Sequence, residues 1–154
     1  MDKPTIDDVP PSLLKDLDQI IIFTDGSGTT RLKECGFGVV VYTSHGSKYL
    51  DFLGGHLSNG TNNFAELIPI VHSLWFLVSL YGEAIKKYHI TIVSDSEITI
   101  KSGKKEYVRS NPLWGSIEKI EQLVNLNWWW IPRNSNKISE YCDYIAGKYR
   151  KLEF

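Results

Sequence analysis

Cysteine is scarce in this sequence, which contains only Cys35 and Cys142 among its 154 residues. Two cysteines cannot supply the several disulfide bonds that hold small secreted domains together, and neither has the close second cysteine of a zinc site. The N-terminus lacks the basic segment and apolar run of a secretory signal. We therefore expect a cytoplasmic protein in a reducing compartment.

Long apolar runs and excess charge are also missing. The most apolar segment, 67–81, is interrupted by Pro69, His72 and Ser73 and is shorter than a bilayer requires, so no membrane association is expected. The 17 basic and 18 acidic residues give a net charge of -1. This balance excludes binding of nucleic acid through a global positive charge, and any such contact must be local.

The length and the 42% hydrophobic content predict one compact domain. Residues 1–18 contain three prolines and five aspartates, which predicts a loosely ordered N-terminal arm ahead of a domain at 19–154. Residues 101–109 have the opposite character, with four basic residues and one glutamate. Either charged segment is equally well explained as solvated surface.

Apolar spacing in 19–154 predicts strands first and alternating helices and strands later. A continuous β-branched run at 20–23 is typical of a buried central strand, and two hairpin-like connections after it indicate an antiparallel meander. The predicted strands lie at 20–23, 36–42, 48–56, 89–93 and 126–131, and the predicted helices at 67–81, 96–103, 112–124 and 138–152. This order predicts an α/β fold with a mixed sheet and helices packed on its faces.

Four acidic residues are predicted to meet at one edge of this sheet. Asp25 directly follows the first strand and Asp95 the fourth, and ligand sites of open α/β sheets form where central strands end. Glu66 lies near the start of the first long helix, and Asp143 lies on a flank of the last helix. Each acid alone is equally well explained as a turn former, a helix cap or a solvated side chain. Together they would repel one another unless divalent cations neutralise them, which predicts a metal-binding phosphoryl-transfer site.

Five short motifs in this order identify a family resemblance. They are FTDGS at 23–27, GFG at 36–38, TNNFAEL at 61–67, SDS at 94–96 and CDYIA at 142–146. This ordered set resembles type 1 ribonuclease H over about residues 19–150. The resemblance implies a ribonuclease H-like, mixed five-stranded sheet, with three antiparallel strands and then parallel ones, flanked by helices. It also implies that the RNA strand of an RNA–DNA hybrid is cut endonucleolytically, leaving 5'-phosphate and 3'-hydroxyl ends.

The same resemblance assigns residues to roles. Asp25, Glu66, Asp95 and Asp143 match the metal ligands, which implies two ions per site, Mg²⁺ or Mn²⁺. Thr61, Asn62 and Asn63 match the stretch that contacts the hybrid, where an amide can both donate to and accept from the 2'-hydroxyl that distinguishes RNA. The alternative, a polar loop that caps a helix, fits the same three residues. Further substrate contacts are predicted at Gly26, Ser27 and Arg31.

Two of the departures from the family pattern bear directly on the site residues. Many relatives have a histidine in the loop before the last helix, whereas 131–137 here contain none. Arg133 is the predicted replacement, and because arginine stays protonated we expect it to hold a phosphate rather than act as a base. Pro69 follows Glu66 inside the expected helix, which predicts a kink or a late helix start that would shift Glu66.

Three other functions remain open at this point. The chain could be a non-catalytic hybrid-binding module, which the missing histidine favours and the retention of all four acids disfavours. It could be the nuclease domain excised from a reverse transcriptase, or a relative that acts on DNA, such as a resolvase or integrase. We expect a monomer. Trp114 and at least one ring of Trp128, Trp129 and Trp130 are expected to pack in the core.

Overall fold

A computed structural model describes residues 1–28, 34–58 and 62–153, apart from the side chains of 62–64. Five strands and four α-helices are present in this part of the chain. In chain order they are β1 (Gln19–Gly28), β2 (Glu34–His45), β3 (Ser47–Ser58), α1 (Asn62–Tyr81), β4 (His89–Ser94), α2 (Glu97–Gly103), α3 (Trp114–Glu121), β5 (Leu126–Trp130) and α4 (Lys137–Lys151). Every predicted strand and helix is therefore found.

The strands form one mixed sheet in the order β3-β2-β1-β4-β5. β1, β2 and β3 pair antiparallel, whereas β4 pairs parallel to β1, and β5 pairs parallel to β4. This confirms the predicted fold class. The predicted end of the first strand is wrong, because β1 continues past Phe23 to Gly28 and Asp25 pairs with Gly38 inside the ladder.

The sheet is covered on both faces, and each face has its own core. The alternation of strand side chains sends Ile20 and Ile22 toward α1 and α3, and Ile21 and Phe23 toward α4. Gly36 and Gly38 on β2 let α4 approach the sheet backbone closely. A Cβ atom on Gly38 would lie 2.2 Å from the carbonyl oxygen of Cys142. The GFG motif is therefore explained by helix packing.

The first residues of the chain differ from the loosely ordered arm that the sequence predicts. Short 3-10 helices form at Ile6–Asp8 and Pro11–Leu13, and the side chains of Val9 and Leu13 are buried in the α4-side core. The Asn136 side-chain amide donates to the Asp8 carbonyl over 2.9 Å. Apolar burial therefore outweighs the disorder that the prolines and aspartates suggest.

Helix α1 also differs in length from the prediction. It begins at Asn62, and its part from Ala65 together with the 3-10 helix Gly82–Lys87 forms a stretch that by length and composition alone could cross a membrane. The expectation from segment 67–81, that no stretch is long enough, is therefore wrong. In the structure its Ile70, Leu74 and Leu77 pack against the sheet as part of the core. The helix ends at Tyr81, as predicted, because Gly82 adopts a φ of 55°.

Helix α3 begins later than predicted. The sequence places the cap at Asn111 and the first helical residue at Pro112, but α3 starts at Trp114. The Asn111 side-chain oxygen accepts from the Leu113 backbone N–H over 3.0 Å and so stabilises the turn before the helix. Trp114 and Trp128 are both buried and their ring centroids lie 5.5 Å apart, which confirms their predicted core role.

Candidate active site

The four predicted acids are carried by four different elements. Asp25 lies in β1, Glu66 in the second turn of α1, Asp95 directly after β4 and Asp143 in α4. β1 and β4 run parallel with Phe23 opposite Val93, so Asp25 and Asp95 follow at equivalent positions of adjacent strands. Carboxylate oxygens of Asp25, Glu66 and Asp95 all lie within 4.8 Å of one another. The tertiary structure thus brings three of the four acids into one cluster.

Asp25 is the most deeply buried member of this cluster. Its side chain is 1% exposed, and neither carboxylate oxygen accepts from an N–H or hydroxyl group of the described residues; the hydrogen-bonding neighbour that affects its pKa is another acid, Asp143. Burial raises the pKa of Asp25 to about 9, and the negative charges of Glu66, Asp95 and Asp143 add to the effect. A buried ionised carboxylate without a partner is strongly unfavourable, so this site favours a bound cation.

Glu66 has a similar environment. Burial raises the pKa of Glu66 to about 8, the charges of Asp95 and Asp143 raise it further, and the Gly26 backbone N–H and Arg133 partly oppose them. Its Oε2 atom is buried without a hydrogen-bond partner within the described part of the chain. Two neighbouring carboxyl groups therefore present unsatisfied oxygens to the same space.

Gly26 explains how α1 can bring Glu66 so close to β1. A Cβ atom on Gly26 would lie 2.2 Å from the Ala65 carbonyl oxygen and 2.7 Å from the Glu66 nitrogen, so only glycine allows this contact. The predicted late helix start at Pro69 is wrong, because α1 begins at Asn62 and continues through the proline. Pro69 has no N–H to donate to the Ala65 carbonyl, and that carbonyl faces β1 instead.

Asp143 lies at the open side of the cluster. It is exposed on α4 and lines a recess of about 190 Å³ together with Asp95, Arg133, Asn134, Ser139 and Glu140. Glu140 is a carboxylate that sequence reasoning missed. Its spacing of three residues from Asp143 places both side chains on one flank of α4, and this helical spacing is the signal that could have identified it.

Arg133 extends over this recess from the loop before α4. Its side chain is 77% exposed, and its Nε atom lies 3.6 Å from Oδ2 of Asp95. The guanidinium group is thus near the cluster without a short hydrogen bond to it, and it can still turn toward an anion. The structure therefore places Arg133 beside the carboxylate cluster, at the recess that Asp95 and Asp143 line.

Trp130 is a second residue that sequence reasoning missed. Its indole Nε1–H donates to the backbone carbonyl of Asp95 over 3.1 Å. This bond links the end of β5 to the residue that carries the Asp95 carboxylate, so Trp130 positions Asp95. The three consecutive tryptophans suggest core packing, and only the folded contact shows this different role.

The structure describes some of the residues that are predicted to contact substrate. Gly26 and Ser27 lie in β1 directly after Asp25, at the same end of the sheet as the cluster. Asn62 and Asn63 form the first residues of α1, with side chains outside the described set. Arg31 and Thr61 lie outside the described residues.

A groove leads away from the cluster between α1, α2 and the segment before α3. It measures about 440 Å³, begins at Ser96 next to Asp95 and ends at Asn111 and Trp114. Hydroxyl groups of Ser96, Thr99, Ser102 and Ser110 line it beside the apolar side chains of Ile98 and Val108. The groove is open and polar enough to accept an extended ligand.

The basic segment 101–109 is divided between two roles. Arg109 donates to both carboxylate oxygens of Glu121, at 2.6 and 3.0 Å, and its guanidinium lies 4.6 Å from the Trp114 ring centroid. Lys101 pairs with Glu97 at 2.9 Å. Among the described residues, no ion pair engages Lys104 or Lys105, so only these two remain available to a ligand.

Comparisons with known proteins agree with this geometry. The family model for RNase H matches residues 18–149. A ribonuclease H of Ehrlichia ruminantium (strain Gardel) is 31% identical in an alignment 142 positions long, which covers 85% of this chain and 94% of the relative. A ribonuclease H of Shewanella frigidimarina (strain NCIMB 400) is 28% identical in an alignment 152 positions long, which covers 88% of this chain and 90% of the relative.

Solved structures show the same fold. LC11-RNase H1 in complex with an RNA/DNA hybrid superposes with a TM-score of 0.74 and 24% identity, over 87% of this chain and 98% of that one. The N-terminal RNase H domain of Rv2228c from Mycobacterium tuberculosis, fused to maltose-binding protein, superposes with a TM-score of 0.72. Its sequence identity is 21%, over 88% of this chain and 95% of that one. Strand order and helix placement are therefore shared with these structures.

Proposed function

The chain belongs to the ribonuclease H family, and from this membership we propose that it hydrolyses the RNA strand of RNA–DNA hybrids. The observation that carries the proposal is a cluster of buried carboxylate oxygens, both of Asp25 and Oε2 of Glu66, which accept no hydrogen bond from an N–H or hydroxyl group of the described residues and lie beside Asp95. Buried polar atoms of folded proteins normally have partners, so these oxygens fit a bound ligand better than a purely structural role.

The cluster fits hard divalent cations. Mg²⁺ and Mn²⁺ prefer carboxylate oxygens and complete their coordination with water and phosphate oxygens. Asp25, Glu66 and Asp95 would hold one ion, and Asp143, across from Asp25 at the open side, would share a second. Such a pair of ions supplies Lewis acidity that activates water and stabilises the leaving oxygen of a phosphodiester.

The residues of the chain then have separate tasks. The buried Asp25 and Glu66 would hold the ions, and Trp130 positions the backbone of Asp95 through its hydrogen bond to the Asp95 carbonyl. In the reaction, water attacks phosphorus and the bond from phosphorus to the 3'-oxygen breaks, which leaves a 5'-phosphate and a 3'-hydroxyl group. Arg133 holds non-bridging oxygens of the same or a neighbouring phosphate, because it stays protonated and can form two parallel hydrogen bonds.

The surfaces beside the cluster suit the two strands of a hybrid. The RNA strand would cross Asp25 and Ser27 toward the start of α1. The family resemblance, rather than the structure, assigns contacts with 2'-hydroxyl groups to Thr61, Asn62 and Asn63. The second strand would follow the hydroxyl-lined groove from Ser96 toward Trp114. Hydroxyl and backbone contacts of this kind position a phosphate backbone without reading its sequence.

A cleavage assay tests the proposal. The protein is incubated with labelled RNA–DNA hybrid, duplex RNA, duplex DNA and single strands, each with Mg²⁺, Mn²⁺ or chelator. We expect cleavage only of the RNA in the hybrid, only with metal, and with 5'-phosphate products. Asp25→Asn serves as the inactive control. Hybrid binding without cleavage in either metal would identify a binding module, and cutting of duplex DNA would identify a different nuclease.

A further inference from the structure

The β5 edge of the sheet is unpaired within the part of the chain that the structure describes. β5 pairs only with β4, on one side. Directly after β5, the Ile131 N–H donates to the Ser94 carbonyl over 3.1 Å. The backbone N–H and C=O groups of Asn127 and Trp129, at alternate positions before it, therefore also point toward β4. By the alternation of a strand, the backbone N–H and C=O groups of Leu126, Trp128 and Trp130 point outward.

A cleft of about 610 Å³ surrounds this edge. Its walls are Ser12, Leu13 and Lys15 of the N-terminal segment on one side and Gly103–Lys105 at the end of α2 on the other. β5 forms its floor together with His89 and Thr91 of β4. Trp129 contributes an indole ring that is 42% exposed. The cleft is therefore a channel along a strand with free hydrogen-bonding groups, separate from the carboxylate cluster.

The charge of the cleft is positive, although the chain as a whole carries a net charge of -1. Lys15, Lys104 and Lys105 line it, and no ion pair engages any of them within the described ranges. The only acid in the lining, Glu121, is neutralised by its two hydrogen bonds with Arg109. Three lysines without an ion pair among the described residues thus line the same cleft as the exposed Trp129 ring.

We propose that this cleft binds an extended acidic peptide segment of a partner protein, which adds to β5 as a sixth strand. The outward backbone groups of β5 would pair with the peptide. Lys104 and Lys105 would meet its carboxylates on the face of the sheet where Trp128 contacts Gly103, and Trp129 would contact its apolar side chains on the other face. An unpaired row of N–H and C=O groups matches a peptide backbone and not a phosphodiester backbone, which has no N–H groups. For this reason a peptide is favoured over a single-stranded nucleic acid.

The Trp130 contact gives such binding a route to the active site. β5 contributes both the edge that would receive the peptide and the indole that donates to the Asp95 carbonyl. The peptide would lie beside the carboxylate cluster without covering it, since the residues of the cleft and of the cluster do not overlap. A bound partner could thus remain attached while substrate occupies the active site.

The test uses fluorescein-labelled peptides of alternating aspartate and valine and the intact protein. We expect saturable binding that weakens with salt and quenches tryptophan fluorescence. Two N-methylated versions of the peptide are compared, each methylated at one set of alternate residues. Only one set faces β5, so only one version should lose binding. Equal binding of both versions, or no binding of the unmodified peptide, would overturn the proposal.

Charge is tested on the protein. The double variant Lys104→Glu/Lys105→Glu should bind the peptide roughly tenfold more weakly, whereas Lys48→Glu, on β3 at the opposite edge, should bind it like the unchanged protein. Circular dichroism checks that each variant is folded. A single-stranded oligothymidylate is the competitor. If it binds more tightly than the peptide and its binding is lost in the double variant, the cleft is a nucleic-acid site and the proposal is wrong.

Discussion

At the scale of single residues, Asp25 shows how strongly an environment can change a side chain. A carboxyl group with an ordinary pKa would be ionised at neutral pH, but this one lies inside the sheet next to two other acids. Without water around it, this group is stable either as the protonated acid or as a carboxylate bound to a cation. The stability of the metal-free protein should therefore depend on the protonation of this residue.

Metal-free protein is expected to lose stability as pH rises. The pKa of Asp25 is about 9 in the folded protein against 3.8 for the ordinary group, so the folded state keeps a proton that the unfolded chain loses between these values. The free energy of unfolding therefore falls with increasing pH across that interval. Asp25→Asn should raise it by roughly 1–3 kcal/mol at about pH 8 with chelator, and by less at about pH 5.

Urea denaturation at the two pH values measures this difference. The control is Asp51→Asn, which changes an exposed aspartate on β3. The pKa of Glu66 is also raised, so the free energy of unfolding of Asp25→Asn should still fall with pH, but less steeply than that of the unchanged protein. If Asp25→Asn and the unchanged protein lost stability in parallel, the assignment of a raised pKa to Asp25 would be wrong.

Arg133 gives a second prediction at this scale. If its guanidinium holds a phosphate during cleavage, Arg133→Ala should lower kcat/KM for hybrid by roughly 10- to 100-fold. Arg133→Lys should restore only part of the loss, because lysine cannot form two parallel hydrogen bonds to one phosphate. Steady-state kinetics at saturating Mg²⁺ measure both variants. Full turnover and affinity in Arg133→Ala would contradict the role.

At the scale of elements, the position of each carboxylate depends on close contacts between backbones. α4 rests on β2 at Gly36 and Gly38, and α1 rests on β1 at Gly26. These contacts set the distance from each helix to the sheet and therefore the distance between Asp143, Glu66 and Asp25. Substitutions at such glycines should affect stability and metal binding together.

Substitutions at two glycines test whether the close contact between α4 and β2 is needed for stability. Gly38→Ala places a Cβ 2.2 Å from the Cys142 carbonyl, so α4 must move away, at a cost of roughly 1–3 kcal/mol or more. Gly147→Ala, on α4 itself, meets nothing within 4 Å and should stabilise the protein by roughly 0.5–1 kcal/mol through helix propensity. Thermal denaturation compares the two. A Gly38→Ala protein as stable as Gly147→Ala would show that the close approach is unimportant.

Pro69 is the other test at this scale. Pro69→Ala supplies the N–H that the Ala65 carbonyl lacks and removes the ring from the helix interior, so the free energy of unfolding should rise by roughly 1–3 kcal/mol. Ser79→Ala, at an exposed position of the same helix, is the control for helix propensity. A decrease in stability in Pro69→Ala would indicate that the freed carbonyl makes a favourable contact with β1.

At the scale of the whole molecule, the N-terminal segment belongs to the folded core. Val9 and Leu13 are buried against α4, and the Gln19 side chain donates to the Leu13 carbonyl over 3.1 Å. The segment also forms one wall of the β5 cleft. Its removal would therefore alter both the core and that surface.

Leu13→Ala should lower the free energy of unfolding by roughly 2–4 kcal/mol, because it leaves a cavity beneath the segment. Leu14→Ala is the matched control, since Leu14 is an exposed neighbour and its loss should change stability by less than about 0.5 kcal/mol. Urea denaturation measures both. Equal effects of the two substitutions would mean that the segment is not held in place by Leu13.

Much of this protein was readable from local patterns. β-branched runs and helical spacing predict all five strands and the four helices, because alternation and the 3.6-residue repeat are properties of the chain itself. The ordered motifs around Asp25, Glu66, Asp95 and Asp143 identify the family and its acids for the same reason, since each motif is a short continuous segment. The end of β1 and the start of α3 were placed wrongly because ladder pairing and turn geometry decide such boundaries.

Only the tertiary structure decided how these acids and their surroundings are arranged. The protonation of Asp25 follows from burial and from charges that lie far away in sequence, and the bond from Trp130 to Asp95 joins two strands. The packing of the N-terminal segment and the separation of Arg109 from Lys104 and Lys105 likewise depend on distant partners. Composition and spacing indicate the chemistry that each residue is capable of. Its pKa and its contacts depend on burial and on the distances to residues that only folding brings close.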